Sequence, residues 1–346
     1  MKHPAAAPAV LALTLVALCA APASAQQKAC ANANGLGVAR TVEIDTTGGP
    51  GFGLEQYKAH DFLQPKEIVL TFDDGPQKIH TDNVLAALRD HCTKATFFSI
   101  GKMALGYPEI IRRVAAEGHT VGTHTWSHPN LRRKKSAEEA IAEIERGNSA
   151  VARAVGGPVA PFFRFPQLAD SPETIKHLQS RNIAMFSMDV DSFDFKFRSP
   201  DQTVKSVIDK LEKKGKGIVL MHDIQPVTGK AIASLLSELK SRGYRVVHLK
   251  ARDTLKTLPE FDKAIETDVK GLPVAGTERP TSSVVRTIDD GAQKSNLGGP
   301  AASPAKAADV AEQRPAAAAN TMTIVGPTPQ PAETQAAPAT RWFWQR

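Results

Sequence analysis

Between residues 66 and about 255, short apolar runs alternate with segments whose apolar positions recur every three or four residues. Seven runs read as strands: Glu67–Phe72, Ala95–Ile100, His119–Thr123, Pro161–Phe165, Ile183–Met188, Gly217–His222 and Arg245–Leu249. Most are short and rich in Val, Ile or Phe, as strands buried on both faces should be. The intervening segments read as amphipathic helices. Thr81 to His91 carries Val84, Leu85 and Leu88 on one face, and Pro108 to Glu117 carries Ile110, Ile111 and Val114. Ser136 with Glu139 forms a capping box ahead of Ile141 and Ile144. Ser171-Pro172 and Ser199-Pro200 each place an N-cap before a first-turn proline, and Gly215 and Gly243 stand where C-terminal caps belong. Such repeated alternation predicts an α/β fold with a parallel sheet, open or closed into a barrel. No Gly-x-Gly-x-x-Gly follows the first strand, so a dinucleotide-binding fold has no support.

The polar residues of this region gather at strand C-termini. Asp73-Asp74 follows the first strand, and His124 and His128 follow the third. Arg164 ends the fourth; Asp189, Asp191 and Asp194 follow the fifth; His222-Asp223 ends the sixth. Parallel α/β barrels assemble their active sites at that face. In Asp73-Asp74-Gly75-Pro76, neighbouring carboxylates leave an extended strand in opposite directions, so a local turn is required to bring both to one water. His124 and His128 are four apart, but Pro129 disfavours helical geometry at His128 and points to a tight loop. Two imidazoles and a carboxylate suit zinc with a coordination position left for water. Cobalt and other divalent ions accept the same donors. His222 gains a proton-donating role if Asp191 or Asp194 lies beside it, and an arginine next to Asp73 would lower that carboxyl's pKa.

The flanks differ in texture. Residues 1–25 read as a signal peptide: Lys2, a short apolar run from Val10 to Ala20, then Ala23-Ser24-Ala25. That run is too short to span a bilayer, and no other stretch approaches the necessary length. Residues 26–65 form a Gly-rich extension expected to pack on the barrel. Residues 256–346 are expected to be mostly disordered, with Ala, Pro and Thr dominating from about 268. The chain then ends on an aromatic patch, Arg341–Arg346, which holds two of the three tryptophans and could dock on a partner.

Charge adds little. The 43 Lys and Arg against 36 Asp and Glu give +7, which falls to +6 without Lys2. This mild surplus fits an acidic cell-surface polymer but does not require one. Arg132-Arg133-Lys134-Lys135 reads as a solvated loop, so no nucleic-acid partner is expected. Export implies an oxidising compartment, where Cys30 and Cys92 could pair or remain free thiols.

At these residues the chain resembles the polysaccharide deacetylases with a NodB-homology domain, carbohydrate esterase family 4. The resemblance covers about residues 66 to 250. Thr71–Pro76 and His124–His128 match the first two motifs, and Leu220-Met221-His222 the fifth; Arg164-Phe165-Pro166 and Asp191–Phe195 match the third and fourth in part. The resemblance implies a distorted (β/α) barrel with about seven parallel strands. It implies Asp73 as catalytic base, steadied by Arg164, and Asp74, His124 and His128 as ligands of a divalent metal. It also implies His222 as catalytic acid, tuned by Asp194, and Leu220 beside the acetyl methyl. Gln167 stands where the family usually has an aromatic and Phe195 where it usually has Trp, so the sugar site changes at its rim. Gln167, Phe195 and Trp126 are expected to touch substrate. The expected reaction is hydrolysis of N-acetyl groups on a GlcNAc-containing glycan by an exported monomer. O-acetyl ester hydrolysis and a sugar-binding relative without catalysis are the alternatives.

Overall fold

The computed structural model describes residues 30–270. The strands are β1 (Arg40–Ile44), β2 (Gly51–Phe52), β3 (Glu67–Asp73), β4 (Thr96–Ser99), β5 (Thr120–Thr123), β6 (Phe162–Phe163), β7 (Ala184–Phe186), β8 (Val190–Asp191), β9 (Gly217–His222) and β10 (Arg245–Ala251). The helices are α1 (His80–Asp90), α2 (Gly101–Gly106), α3 (Pro108–Ala116), α4 (Ala137–Val155), α5 (Pro172–Ser180), α6 (Pro200–Lys214), α7 (Pro226–Ser241) and α8 (Pro259–Lys270). All seven expected strands form, and every registered pair is parallel.

Pairing runs β7–β6–β5–β4–β3–β9–β8. Because β7 and β8 are successive pieces of one chain segment, the two ends of this series meet and a distorted barrel closes. The Asp189 carboxylate stitches the join, accepting Leu54 N–H two residues past β2 and Ile218 N–H at 2.7 Å from β9. The expected seventh strand, β10, touches the barrel only where Arg245 and Val246 pair with Glu67 and Ile68. β9 holds one edge of β3 and β4 takes the other from Thr71 onward, so β10 peels away and pairs along its length with β1.

Side-chain parity divides the core into two layers. Ile68, Leu70 and Phe72 of β3 pack outward with Val84, Leu85 and Leu88 of α1. Val69, Phe98, Phe162, Phe186 and Ile218 fill the barrel, and Val247 and Leu249 of β10 with Ile44 of β1 join the same cluster. Continuing the inward parity past the apolar layer gives Thr71 and Asp73 on β3, Arg164 after β6, and Leu220 and His222 on β9.

Residues 30–65 lie on the barrel. β1 pairs with β10, β2 pairs with β7, and Cys30 is bonded to Cys92. The expected start of the disordered tail at 256 is corrected. Leu255 and Lys256 still bond to Val159 and Arg181, and residues 259–270 form α8. Ile265 drives this, since α8 buries it completely against Trp126 and Ala150. The expected signal peptide and the Arg341–Arg346 patch lie outside the described residues. No described helix is long and apolar enough to cross a membrane.

Candidate active site

At the C-terminal mouth, Asp74, His124 and His128 offer one ligand atom each, all within 4.8 Å of one another. Asp74 Oδ1 lies 3.5 Å from His124 Nε2 and 3.3 Å from His128 Nε2. This arises because Asp74 takes φ 78°, turning its carboxylate back toward the neighbouring loop. Gly75 makes the turn passable, since a Cβ there would overlap the Asp223 carboxylate. The set fits a divalent cation. Asp74 Oδ1 is a buried oxygen without a hydrogen-bond partner. His124 Nδ1 lies 2.7 Å from the Arg164 carbonyl, a contact that calls for a proton on Nδ1 and leaves the Nε2 lone pair facing Asp74. Burial and the neighbouring His128 hold His124 well below the usual histidine pKa, so it stays neutral and ligand-ready.

Asp73 is 2% exposed and accepts a 2.7 Å bond from Arg164 Nη1. The same nitrogen donates to Thr71 Oγ1 at 2.7 Å, while Nη2 and Nε donate to the carbonyls of Ser187 and Phe186. The guanidinium also lies over the Phe98 ring, 4.3 Å from its centroid. Arg164 is therefore fixed by five contacts and in turn fixes Asp73. The expectation that Arg164 would leave Asp73 with a lowered pKa is corrected. Burial outweighs Arg164 and raises the carboxyl pKa, because desolvation penalises the ionised form.

Across the mouth, Asp194 and not Asp191 partners His222. Asp194 Oδ1 lies 2.7 Å from His222 Nδ1, and its Oδ2 accepts His222 N–H at 2.7 Å and the Thr228 hydroxyl. Burial alone would depress His222, but the charge and hydrogen bond of Asp194, with Asp74 and Asp73 behind, raise it to about 10. Asp191 instead accepts Phe193 N–H.

At the rim the expected substrate-contacting residues take different positions. Leu220 is buried on the inward face of β9, and the Phe195 ring stands edge-on to His222 at 5.7 Å. Gln167 has φ 57°, and its Oε1 accepts Asn130 Nδ2 at 2.7 Å. Trp126 is a correction. It is 6% exposed and packs with Ala150 of α4 and Ile265 of α8, so the indole is spent on the core and not on substrate.

Asp223, to which the sequence assigns only a place at the end of the sixth strand, has a structural part in the site. It is buried, accepts Gly75 N–H at 3.0 Å and the Thr81 hydroxyl at 2.6 Å, and so anchors the turn that presents Asp74. Its place directly after His222 was visible, but only the fold brings it under Gly75.

A distorted parallel α/β barrel with an Asp–His–His cluster at its C-terminal mouth is the class defined by this fold and site. Residues 62–186 match the family described as polysaccharide deacetylase. The chain is 35% identical over 182 residues to a peptidoglycan-N-acetylglucosamine deacetylase of Listeria monocytogenes, covering 53% of this chain but 38% of that one. It is 34% identical over 205 residues to a peptidoglycan-N-acetylglucosamine deacetylase of Bacillus cereus, covering 57% of this chain and 72% of that one. A solved peptidoglycan deacetylase of Bdellovibrio bacteriovorus superposes with a TM-score of 0.56 at 36% identity, covering 62% of this chain and 59% of that one. The chain belongs to the polysaccharide deacetylase family, the NodB-homology group also called carbohydrate esterase family 4.

Proposed function

We propose that the protein is an exported, metal-dependent N-deacetylase that removes acetyl groups from a GlcNAc-containing polysaccharide or oligosaccharide. The observation that carries this reading is the pairing of two different proton-handling groups across one metal-ligand cluster: Asp73 on Arg164, and His222 on Asp194.

A divalent cation on Asp74, His124 and His128, zinc by its donor set, would polarise the acetyl carbonyl and lower the pKa of an attacking water. Asp73 takes the proton from that water. Its raised pKa suits a base that must gain a proton during attack, and Arg164 keeps its carboxylate fixed while it does so. His222, charged through Asp194, gives its Nε2 proton to the leaving nitrogen. An amide nitrogen is a poor leaving group without that proton, and an ester oxygen needs it less. The investment in a protonated His222 therefore favours amide over O-acetyl ester hydrolysis. The family resemblance implies the Gln167 N–H as the backbone donor for the developing oxyanion, and the neighbouring N–H groups of Leu168 and Ala169 are used within the turn. Leu220 and Phe195 form the wall against the acetyl methyl and the sugar. With base, acid and ligand positions all filled, the sugar-binding alternative has no supporting vacancy.

Export rests on the signal-like residues 1–25 and is supported by the Cys30–Cys92 bond, which suits an oxidising compartment. The deciding experiment compares acetate release from chitin oligomers, peptidoglycan and acetylated xylan by zinc-loaded wild type and Asp73→Asn. The variant should keep its zinc and lose about 10²- to 10⁴-fold in kcat. Near-normal turnover by Asp73→Asn would remove Asp73 from the base role, and release from xylan alone would move the assignment to ester hydrolysis.

A further inference from the structure

Trp126 stands between the two histidine ligands in sequence, and its burial raises the question of what it does there. The loop it belongs to adopts a conformation its residues do not favour: Thr125 has φ 66° and His128 φ 61°. Non-glycine residues persist in that region only where their surroundings over-determine them.

The surroundings are specific. Gly101 N–H donates to the Thr125 carbonyl at 2.9 Å and Lys102 N–H to the Trp126 carbonyl at 3.0 Å, both from the start of α2. On α4, the Glu143 carbonyl accepts Trp126 N–H at 2.8 Å, and its carboxylate accepts Ser127 N–H at 3.0 Å. Gly147 lets the loop lie directly on α4, since a Cβ there would overlap the Thr125 backbone. The indole completes the grip. Its ring is covered by Ile265 of α8, and the Arg146 guanidinium stacks on it at 4.8 Å and reaches Asp268 of α8 at 2.7 Å.

We propose that α8 is a latch on the metal-ligand loop: by closing over Trp126 it fixes His124 and His128 and so sets the affinity of the site for its cation. This rests on the reading of Asp74, His124 and His128 as a metal site. Trp126, Arg146, Ile265 and Asp268 are positioning residues, acting through the loop and not on substrate. The latch is lightly built. Among the described side chains of α8 only Ile265 is fully buried, and Asp268 adds one half-buried ion pair. An element held this way can release without unfolding the barrel. Coupling of this kind is reciprocal, so the cation holds α8 down as firmly as α8 holds the cation.

The test uses the full-length chain, stripped of metal and titrated with Zn2+ against a chromophoric chelator. Ile265→Asp and Trp126→Ala should each weaken zinc binding about tenfold or more. Trp126→Phe keeps an aromatic ring under Ile265 and should restore most of the affinity. Leu239→Ala, in the α7 core, lowers the unfolding midpoint without touching the loop and should leave zinc affinity unchanged. In wild type, adding zinc should slow amide hydrogen exchange across residues 259–268. The latch is overturned if Ile265→Asp binds zinc as wild type does, or if Leu239→Ala weakens binding equally. A wild-type chain that takes up no zinc overturns the metal reading beneath it, an outcome distinct from either.

Discussion

Glu67 opens β3 and Asp73 closes it, and each is a buried carboxylate beside an arginine. At the start, Glu67 accepts Arg40 Nε at 2.9 Å, Arg40 Nη2 at 2.6 Å and Gln64 N–H at 2.8 Å, with Arg245 at 3.8 Å. Both its oxygens are engaged, and the Arg40 hydrogen bonds lower its pKa to about 2 against the pull of burial. At the end, Arg164 engages only Oδ1 of Asp73, while Oδ2 faces His124 Nε2 at 4.0 Å, and burial prevails. The same two chemical groups give a saturated pair at one end of the barrel and a half-satisfied one at the other. What separates them is the number of donors supplied and the depth of desolvation, which leads at Asp73 and comes second to the Arg40 bonds at Glu67, not the residue types. Histidines likewise divide by the partners they meet: His124, at the mouth but without a carboxylate hydrogen bond, is held low. Near the starts of β4 and β5, burial drops His119 to about 3, while at the mouth Asp194 raises His222 to about 10.

This contrast can be broken experimentally. The largest effect belongs to Arg164→Met, which strands a buried carboxylate. It should lower stability by about 3–5 kcal/mol and reduce kcat at least a hundredfold, by analogy with losing about 3 kcal/mol of transition-state positioning. Arg164→Lys should not rescue it, because an ammonium cannot replace donors spread over Thr71, Asp73, Phe186 and Ser187. Thermal unfolding and steady-state kinetics measure both. Reduction of Cys30–Cys92, whose residues are 62 apart, should cost about 4 kcal/mol by the loop-entropy relation and leave kcat of the folded fraction intact. Glu67→Gln should cost about 1–3 kcal/mol, again with kcat unchanged. Because the folded pKa of Glu67 is depressed, its contribution is present above the ordinary value of 4.5 and lost as pH falls toward 2. Acid unfolding of wild type across that window should thus be steeper than that of the variant. Asp194→Asn should produce the smallest shift, one of position and not of size. His222 loses the partner that holds its proton, so the alkaline limb of kcat/KM should move down by about one pH unit or more. An unmoved limb would assign that proton to another group.

Much of the site was legible because chemistry and period coincide. Asp73, Asp74, His124 and His222 stand directly at strand ends, with His128 in the short loop beyond, where apolar runs stop and the barrel mouth begins. The unread parts depend on contacts between distant segments. Nothing in spacing chooses Asp194 over Asp191; the closure of β8 on β9 brings Asp194 to His222. Trp126 sits in a ligand motif and invites a substrate role, but helix α8, more than a hundred residues later, covers it. That helix itself was hidden in a stretch assigned to the tail, since one apolar contact, Ile265, decides its docking.

Local sequence alone determined the strand–helix alternation, the apolar runs and the placing of ligand-type residues at strand ends. These follow from periodicity and side-chain chemistry, which need no partner. Only the tertiary structure decided which carboxylate is saturated and which keeps an oxygen unpaired with arginine, which cysteines bond, and which aromatic faces the core. Those outcomes depend on how many donors and how much water each group meets once remote segments close around it.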